Sequence, residues 1–403
     1  MKRIFLRSGL VCAMVLAFTL AATAQEAAKH PITFDDMIKM HRVAEPQISP
    51  DGKWVVYTVA TPDIDANRNA TNLWMVSTAG DSPQQLTQSG HDSSPVWSPD
   101  GKTIAFLSSR SGDSQVYLLS LEGGEAQKLT KLSTGADVVK WSPDGKTIAF
   151  TSSVYPDCKD DDCNSKRDAE KEKNKVKARV AEHLLYRHWT HWNEGKRAHL
   201  FVVPADGSSA PRDLTPAGDY DVPPDERGGP GDINFSPDSK ELCFTAVTDK
   251  MEAISTNGDL FTVPVAGGEV KRITTQHGFD GEPVYSPDGK YIAYHAQLTP
   301  EYESDRWRVM LYDRQSGKNE NLSEGFDRSA DELAWSADSK TIYFTAENET
   351  QKPLYTMAAR AGAEPKKILA DTYNAAISFS RDGKTLAFER TSLTMPAELF
   401  AAS

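Results

Sequence analysis

Short apolar runs with period-two alternation, separated by turns rich in Gly, Pro and Asp, recur along the chain and predict antiparallel β-strands rather than helices. One pentapeptide punctuates them. Ser49-Pro50-Asp51-Gly52-Lys53 is followed by copies starting at Ser98, Ser142, Ser236, Ser286, Ser336 and Ser380, with starts 49, 44, 94, 50, 50 and 44 residues apart. Pro presets φ for the first central turn position, Asp favours the next, and Gly accepts a positive φ at the exit, so each copy predicts a hairpin tip. The residue before the Ser is always large and apolar: Ile48, Trp97, Trp141, Phe235, Tyr285, Trp335 and Phe379. Beyond the Lys come an aliphatic and then an aromatic residue on one strand face, as in Ile104/Phe106, Ile148/Phe150 and Ile342/Phe344.

A third strand follows in each unit, from Leu73–Val76 in the first to Leu399-Phe400 in the last. A fourth ends in Leu86-Thr87, Leu129-Thr130, Leu214-Thr215, Ile273-Thr274, Leu322-Ser323 and Ile368-Leu369. Seven repeats of four strands predict an all-β fold, a seven-bladed β-propeller of four-stranded antiparallel blades occupying residues 46–403. The last blade lacks its fourth strand. Residues 25–45, with Asp35-Asp36-Met37-Ile38-Lys39-Met40, read as a helical lead-in.

The 94-residue interval holds a charged, partly helical insertion in the third blade, 154–197. Val176, Val180 and Leu184 recur at helical spacing and predict a helix over Asp168–Arg187. Pro216–Asp232, with Pro223-Pro224 and Gly228-Gly229-Pro230-Gly231, reads as irregular.

The first 24 residues differ in kind. Lys2, Arg3 and Arg7 precede an apolar run from Gly9 to Leu20 and then Ala22-Thr23-Ala24, which predicts a secretory signal peptide over 1–24, cleaved after Ala24. The run is too short to span a bilayer comfortably, and Cys12 inside it does not suit a lipid anchor. The expected location is periplasmic or secreted, where Cys158 and Cys163, in one acidic loop, suit a local disulfide; Cys243 suits an apolar strand.

Composition narrows the partners. The 403 residues are 39% hydrophobic, enough for a sizeable core, and the net charge of −12 argues against nucleic acid or an anionic membrane and suits peptide amines. No Gly-x-Ser-x-Gly, Walker loop, dinucleotide fingerprint, His-Glu-x-x-His or EF-hand pattern occurs, so no catalytic triad, cofactor or metal site is expected.

Two clusters are candidate substrate contacts. His183 to Glu194 concentrates His and Trp; Arg187, His188, Trp189, Trp192 and Glu194 could line a substrate channel, or the aromatic residues could pack the insertion onto its blade. Glu301, Glu303 and Arg306 form the second: paired carboxylates could hold a peptide α-amine, or the segment could be a surface salt-bridge cluster.

Tyr186-Arg187-His188-Trp189 with Lys196–Val203, Ser255–Leu260, Tyr302–Arg308 and Phe326–Ser329 together resemble the bacterial dipeptidyl-peptidase and acylaminoacyl-peptidase branch of the prolyl oligopeptidase family. The resemblance implies an N-terminal propeller that gates and positions peptides for an α/β-hydrolase domain carrying the Ser, Asp and His. That domain is not found in this sequence, so the chain alone is expected to be inactive as a peptidase, its partners being peptide substrate and a separately encoded or missing hydrolase domain. The alternative is a free-standing periplasmic propeller, similar to those of the Tol system, that binds a protein or peptide.

Overall fold

A computed structural model describes residues 30–181, 184, 186–370 and 372–403. The expected signal peptide, Cys12, His183 and Leu185 lie outside the described residues. The segment up to Lys39 forms a unit of its own, whose helix α1 (Phe34–Lys39) is capped reciprocally: Asp36 accepts the Thr33 N–H at 2.8 Å while its own N–H reaches Thr33 Oγ1.

Residues 40–403 form the propeller. Blade one is Arg42–Ile48, Trp54–Asp63, Arg68–Ser77 and Gln84–Gln85, each strand antiparallel to the next. Its inner strand thus begins at Arg42. Blades two to six repeat this order from inner strands Asp92–Trp97, Asp137–Trp141, Ile233–Phe235, Asp280–Tyr285 and Asp331–Trp335. Blade seven has three strands, Tyr373–Phe379, Leu386–Ser392 and Met395–Ala402. Its inner strand packs on Arg42–Ile48, so the ring closes through side chains and not through a shared sheet.

All seven turns are built alike. The Ser Oγ donates to the Asp two residues on, at 2.6–2.8 Å, and accepts the N–H five residues on, at 2.9–3.0 Å. The fourth residue has φ between 61° and 75° throughout, including Ser239 and Ser339. These two non-glycines are in the left-handed region and make a bond that Gly cannot: their Oγ atoms accept the N–H of Asp144 and Asp288 in the preceding blade, each at 3.0 Å. Ser239→Ala keeps the strain and loses the bond, so it should cost about 1 kcal/mol in urea unfolding, whereas Ser239→Gly should be close to neutral. Equal midpoints for the two variants would refute this role.

Seven apolar clusters fill the seven seams. Ile104 and Phe106 lie between blades one and two, Ile148 and Phe150 between two and three, Leu242 and Phe244 between three and four, all fully buried. Each such side chain contributes roughly 1.5–3 kcal/mol through removal from water. Two seams are also tied by indoles: Trp97 Nε1 donates to Gln47 O at 2.8 Å and Trp335 Nε1 to Val284 O at 2.9 Å. The seam between blades seven and one is thin, with Ile48, Val55 and Ala387 as its buried residues.

The insertion departs from the expected helix. Helix α2 spans Asp161–Lys173, not Asp168–Arg187. Asp160 caps it by accepting the Cys163 N–H at 2.9 Å, Cys158 and Cys163 are joined by a disulfide, and Asn164 accepts the Tyr155 N–H. Val176, Val180 and Leu184 lie beyond its end and are exposed, so the apolar period finds no surface to pack on, and packing is what sustains a helix of that length.

Candidate functional site

The first candidate cluster forms a two-stranded hairpin, Arg187–His188 with His191–Trp192, whose turn carries an exposed Trp189 at φ +45°. Tyr186 stacks on Trp192 with centroids 6.0 Å apart, and the guanidiniums of Arg179 and Arg187 lie over the Trp192 ring at 4.6 and 5.7 Å. Glu194 joins Lys171 to Arg179, and the Lys171 bond holds its carboxyl below the usual range. His188 Nδ1 is 3.4 Å from Asp225. Trp192 and Glu194 line a broad cleft of about 1190 Å³ with Arg197, whose guanidinium reaches Asp219 at 3.1 Å, Asp221 at 2.8 Å and Glu252 at 2.9 Å.

The second cluster divides. Glu301, at φ +60°, donates its N–H to Thr256 Oγ1 at 2.8 Å and lines a hollow beside Ser255–Asn257. Glu303 instead forms an ion pair with Arg227 at 3.0 Å, and Arg306 donates to Glu324 O at 3.2 Å. Asp305 organises the loop by accepting the N–H groups of Thr299, Leu298 and Arg306, which hold its carboxyl down at about 2 against the effect of burial.

Thr256, in the Ser255–Leu260 segment, holds Glu301, which immediately precedes the Tyr302–Arg308 segment; that segment meets Phe326–Ser329 where Trp307 N–H donates to Ser329 Oγ at 3.1 Å and Ala330 N–H to Trp307 O at 3.0 Å. At this junction, at the strand ends remote from the seven repeated turns, lies a second cleft of about 530 Å³. Carboxylates at Asp232, Glu282, Asp327, Asp331 and Glu347 and cations at Arg227, Arg328 and Lys352 line it beside His295, with Phe279 and Trp307 as its aromatic wall.

Its geometry is tightly held. Phe279 and Trp307 meet edge to face at 5.6 Å, and a Cβ on Gly258 or Gly281 would come within 2.6 Å of the Phe279 ring, so both positions demand Gly through close approach. His295 is buried; its Nδ1 lies 2.8 Å from Glu282 Oε2, and its Nε2 is without a hydrogen-bond partner among the described residues. Glu282, at φ +52°, donates its N–H to Asp232 at 2.8 Å. Burial raises the Asp232 carboxyl above its ordinary range. Lys352 is 2.5 Å from Asp331 and 3.6 Å from Glu332, and these carboxylates keep it charged, above its usual range, against burial. Lys140, near Asp232 and Glu282, is pushed down by burial.

His295, Glu282, Asp232, Lys352 and Lys140 went unnoticed in the sequence. Aligning the seven turns on their Ser would have flagged part of the set, since the residue four positions earlier is Glu45, Ser94, Val138, Asp232, Glu282, Glu332 or Ala376. Three of these carboxylates bridge seams: Glu45 accepts Ser94 N–H, Asp232 accepts Glu282 N–H and Glu332 accepts Ala376 N–H, at 2.8–2.9 Å.

Comparison with known proteins agrees with the fold. Residues 61–162 match the Tricorn protease N-terminal β-propeller domain. Dipeptidyl-peptidase 5 of Porphyromonas gingivalis is 28% identical over 99% of this chain and 58% of its own length, and that of Porphyromonas endodontalis 30% identical over 94% of this chain and 54% of its own. The acylaminoacyl peptidase of Pyrococcus horikoshii superposes with a TM-score of 0.68 at 16% identity, over 91% of this chain and 52% of the other. The β-propeller domain of the Trilobed protease from Pyrococcus furiosus superposes with a TM-score of 0.62 at 14% identity, over 90% and 93%. The chain spans a little over half the length of the curated relatives it matches.

Proposed function

We propose that the chain, which is an N-terminal β-propeller of the prolyl oligopeptidase family of peptidases, gates and positions peptides for an α/β-hydrolase domain in an exported exopeptidase of dipeptidyl- or acylaminoacyl-peptidase type. The observation that carries this reading is the 530 Å³ cleft at the strand ends, where the Tyr302–Arg308 and Phe326–Ser329 segments abut.

That cleft suits a short extended peptide. Aromatic faces at Phe279 and Trp307 contact apolar side chains, carboxylates and cations of both signs answer backbone and terminal charge, and the volume excludes a folded domain. The proposed role is binding and orientation, and bond cleavage belongs to the Ser, Asp and His of the hydrolase domain. The same reading places the protein in the periplasm or outside the cell, with no cofactor.

Titrating the purified chain with short unblocked peptides should quench Trp emission in a saturable way. Trp307→Ala should weaken binding by about tenfold or more while leaving the far-ultraviolet circular dichroism unchanged. Unchanged affinity in Trp307→Ala, measured by calorimetry, would place peptide binding elsewhere.

A further inference from the structure

Charge is unevenly settled in the cleft where Phe279 meets Trp307. Its three cations are each answered within the protein: Arg227 by Glu303 at 3.0 Å, Lys352 by Asp331 and Glu332 at 2.5 and 3.6 Å, and Arg328 by Asp327 at 4.0 Å. Its carboxylates are not. Asp232 accepts the N–H groups of Glu282 and Gly229, each at 2.8 Å, but Glu282 and Glu347 have no Lys or Arg within ion-pair distance among the described residues. Lys140 is near enough to Asp232 and Glu282 to feel both, yet it forms an ion pair with neither among the described residues, and burial works against its charge.

His295 adds an unmet hydrogen bond at the same place. Its side chain is only 5% exposed and lines the cleft, meeting Trp307 at a steep angle with ring centroids 6.4 Å apart. Nδ1 lies 2.8 Å from Glu282 Oε2, and a carboxylate only accepts, so Nδ1 carries the proton and the neutral ring presents a lone pair at Nε2. That atom has no partner among the described residues. A buried acceptor left without a donor is costly, and a ligand that supplies the donor recovers the cost.

The two features ask for one chemistry. A carboxylate or a carbonyl would face a lone pair beside a negative charge, and a backbone N–H would satisfy His295 while leaving Glu282 unbalanced. A cation that bears N–H groups answers both. The wall suits it too: the Arg227 guanidinium already lies 5.9 Å from the Phe279 centroid, whereas Trp307 has no cation over its ring among the described residues. We propose that the cleft, read as above as a peptide site, selects peptides carrying a basic side chain, Arg or Lys, which packs on Trp307, donates an N–H to His295 Nε2 and is balanced by the Glu282 carboxylate. His295 and Glu282 are then the specificity-determining pair.

The test titrates the full chain calorimetrically with acetyl-Ala-Arg-Ala-amide and with the same peptide carrying citrulline, an uncharged near-isostere of Arg. Blocking both ends leaves the Arg side chain as the one charge. The Arg peptide should bind about tenfold or more tightly than the citrulline peptide. Glu282→Gln keeps an acceptor for His295 Nδ1 and removes the charge, so it should cut that advantage to about twofold or less while citrulline binding changes little. His295→Phe should weaken the Arg peptide about three- to tenfold through loss of the acceptor. Equal binding of the two peptides by the parent chain, no binding of the Arg peptide, or an advantage that survives both substitutions would overturn the proposal. Such a result leaves the peptide cleft standing if Trp307→Ala still weakens unblocked peptides; unchanged affinity for those peptides in Trp307→Ala would remove the cleft and the basic-side-chain preference together.

Discussion

Asp280→Asn should stabilise the propeller above neutral pH and flatten its pH dependence. Asp280 is fully buried at the start of the blade-five inner strand; Gln276 Nε2 donates to one carboxyl oxygen, and the other has no hydrogen-bond partner among the described residues. Burial, reinforced by the charge of nearby Asp259, pushes its carboxyl up to about 7 from the ordinary 3.8. The native state therefore holds a proton that the unfolded chain releases near pH 4. The stability this group lends is complete below about pH 4, declines as pH rises, and is gone above about pH 7, a span of about 4 kcal/mol at most. Asn preserves an acceptor for Gln276 and has nothing to ionise. Urea unfolding at pH 8 should show a gain of about 2–4 kcal/mol over the parent, shrinking to near zero at pH 4.5. A variant whose unfolding midpoint follows the parent across that range would show that Asp280 is not the titrating group.

Arg197→Gln should be the most damaging single change outside the apolar seams. Arg197 opens the third strand of blade three and gathers Asp219 and Asp221 from the loop after that blade and Glu252 from blade four. Even beside this guanidinium, burial holds the Asp221 and Glu252 carboxyls above their ordinary values. Without it, two half-buried carboxylates stand unpaired, and the expected loss is about 3–5 kcal/mol at pH 8. Both acids then titrate higher still, so protonation removes the repulsion as pH falls and the deficit against the parent should narrow at pH 5. Asp221→Asn added to the variant should recover part of the loss. Additive penalties for the two substitutions would mean the groups are not coupled.

The two unexpected results at the site have a common origin. A helix over Asp168–Arg187 follows from Val176, Val180 and Leu184 only if an apolar surface awaits them, and these side chains stay in water. The helix forms instead where Asp160, the Cys158–Cys163 bond and Asn164 provide a local nucleus. Glu301 and Glu303 are close in sequence, yet Thr256 holds one and Arg227 the other, the backbone turning through a left-handed conformation at Glu301. Short-range pattern carries the residue types to a region and is blind to the long-range partner that orients each.

What the amino-acid order decided unaided is the sevenfold plan: hairpin tips at Ser-x-Asp, an apolar residue before each, a short aliphatic-aromatic strand after each, and a hydroxyl to finish most blades. Each of these depends on bonds closed within a few residues or on a period that any strand shares. The tertiary structure decided which side chains meet. His295 with Glu282, Asp232 with the Glu282 N–H, Lys352 with Asp331 and Arg227 with Glu303 join residues from 13 to 76 positions apart, most of them across a seam or a loop. Folding within one blade brings His295 to Glu282 and Lys352 to Asp331, and the stacking of blade on blade brings Asp232 to Glu282 and Arg227 to Glu303.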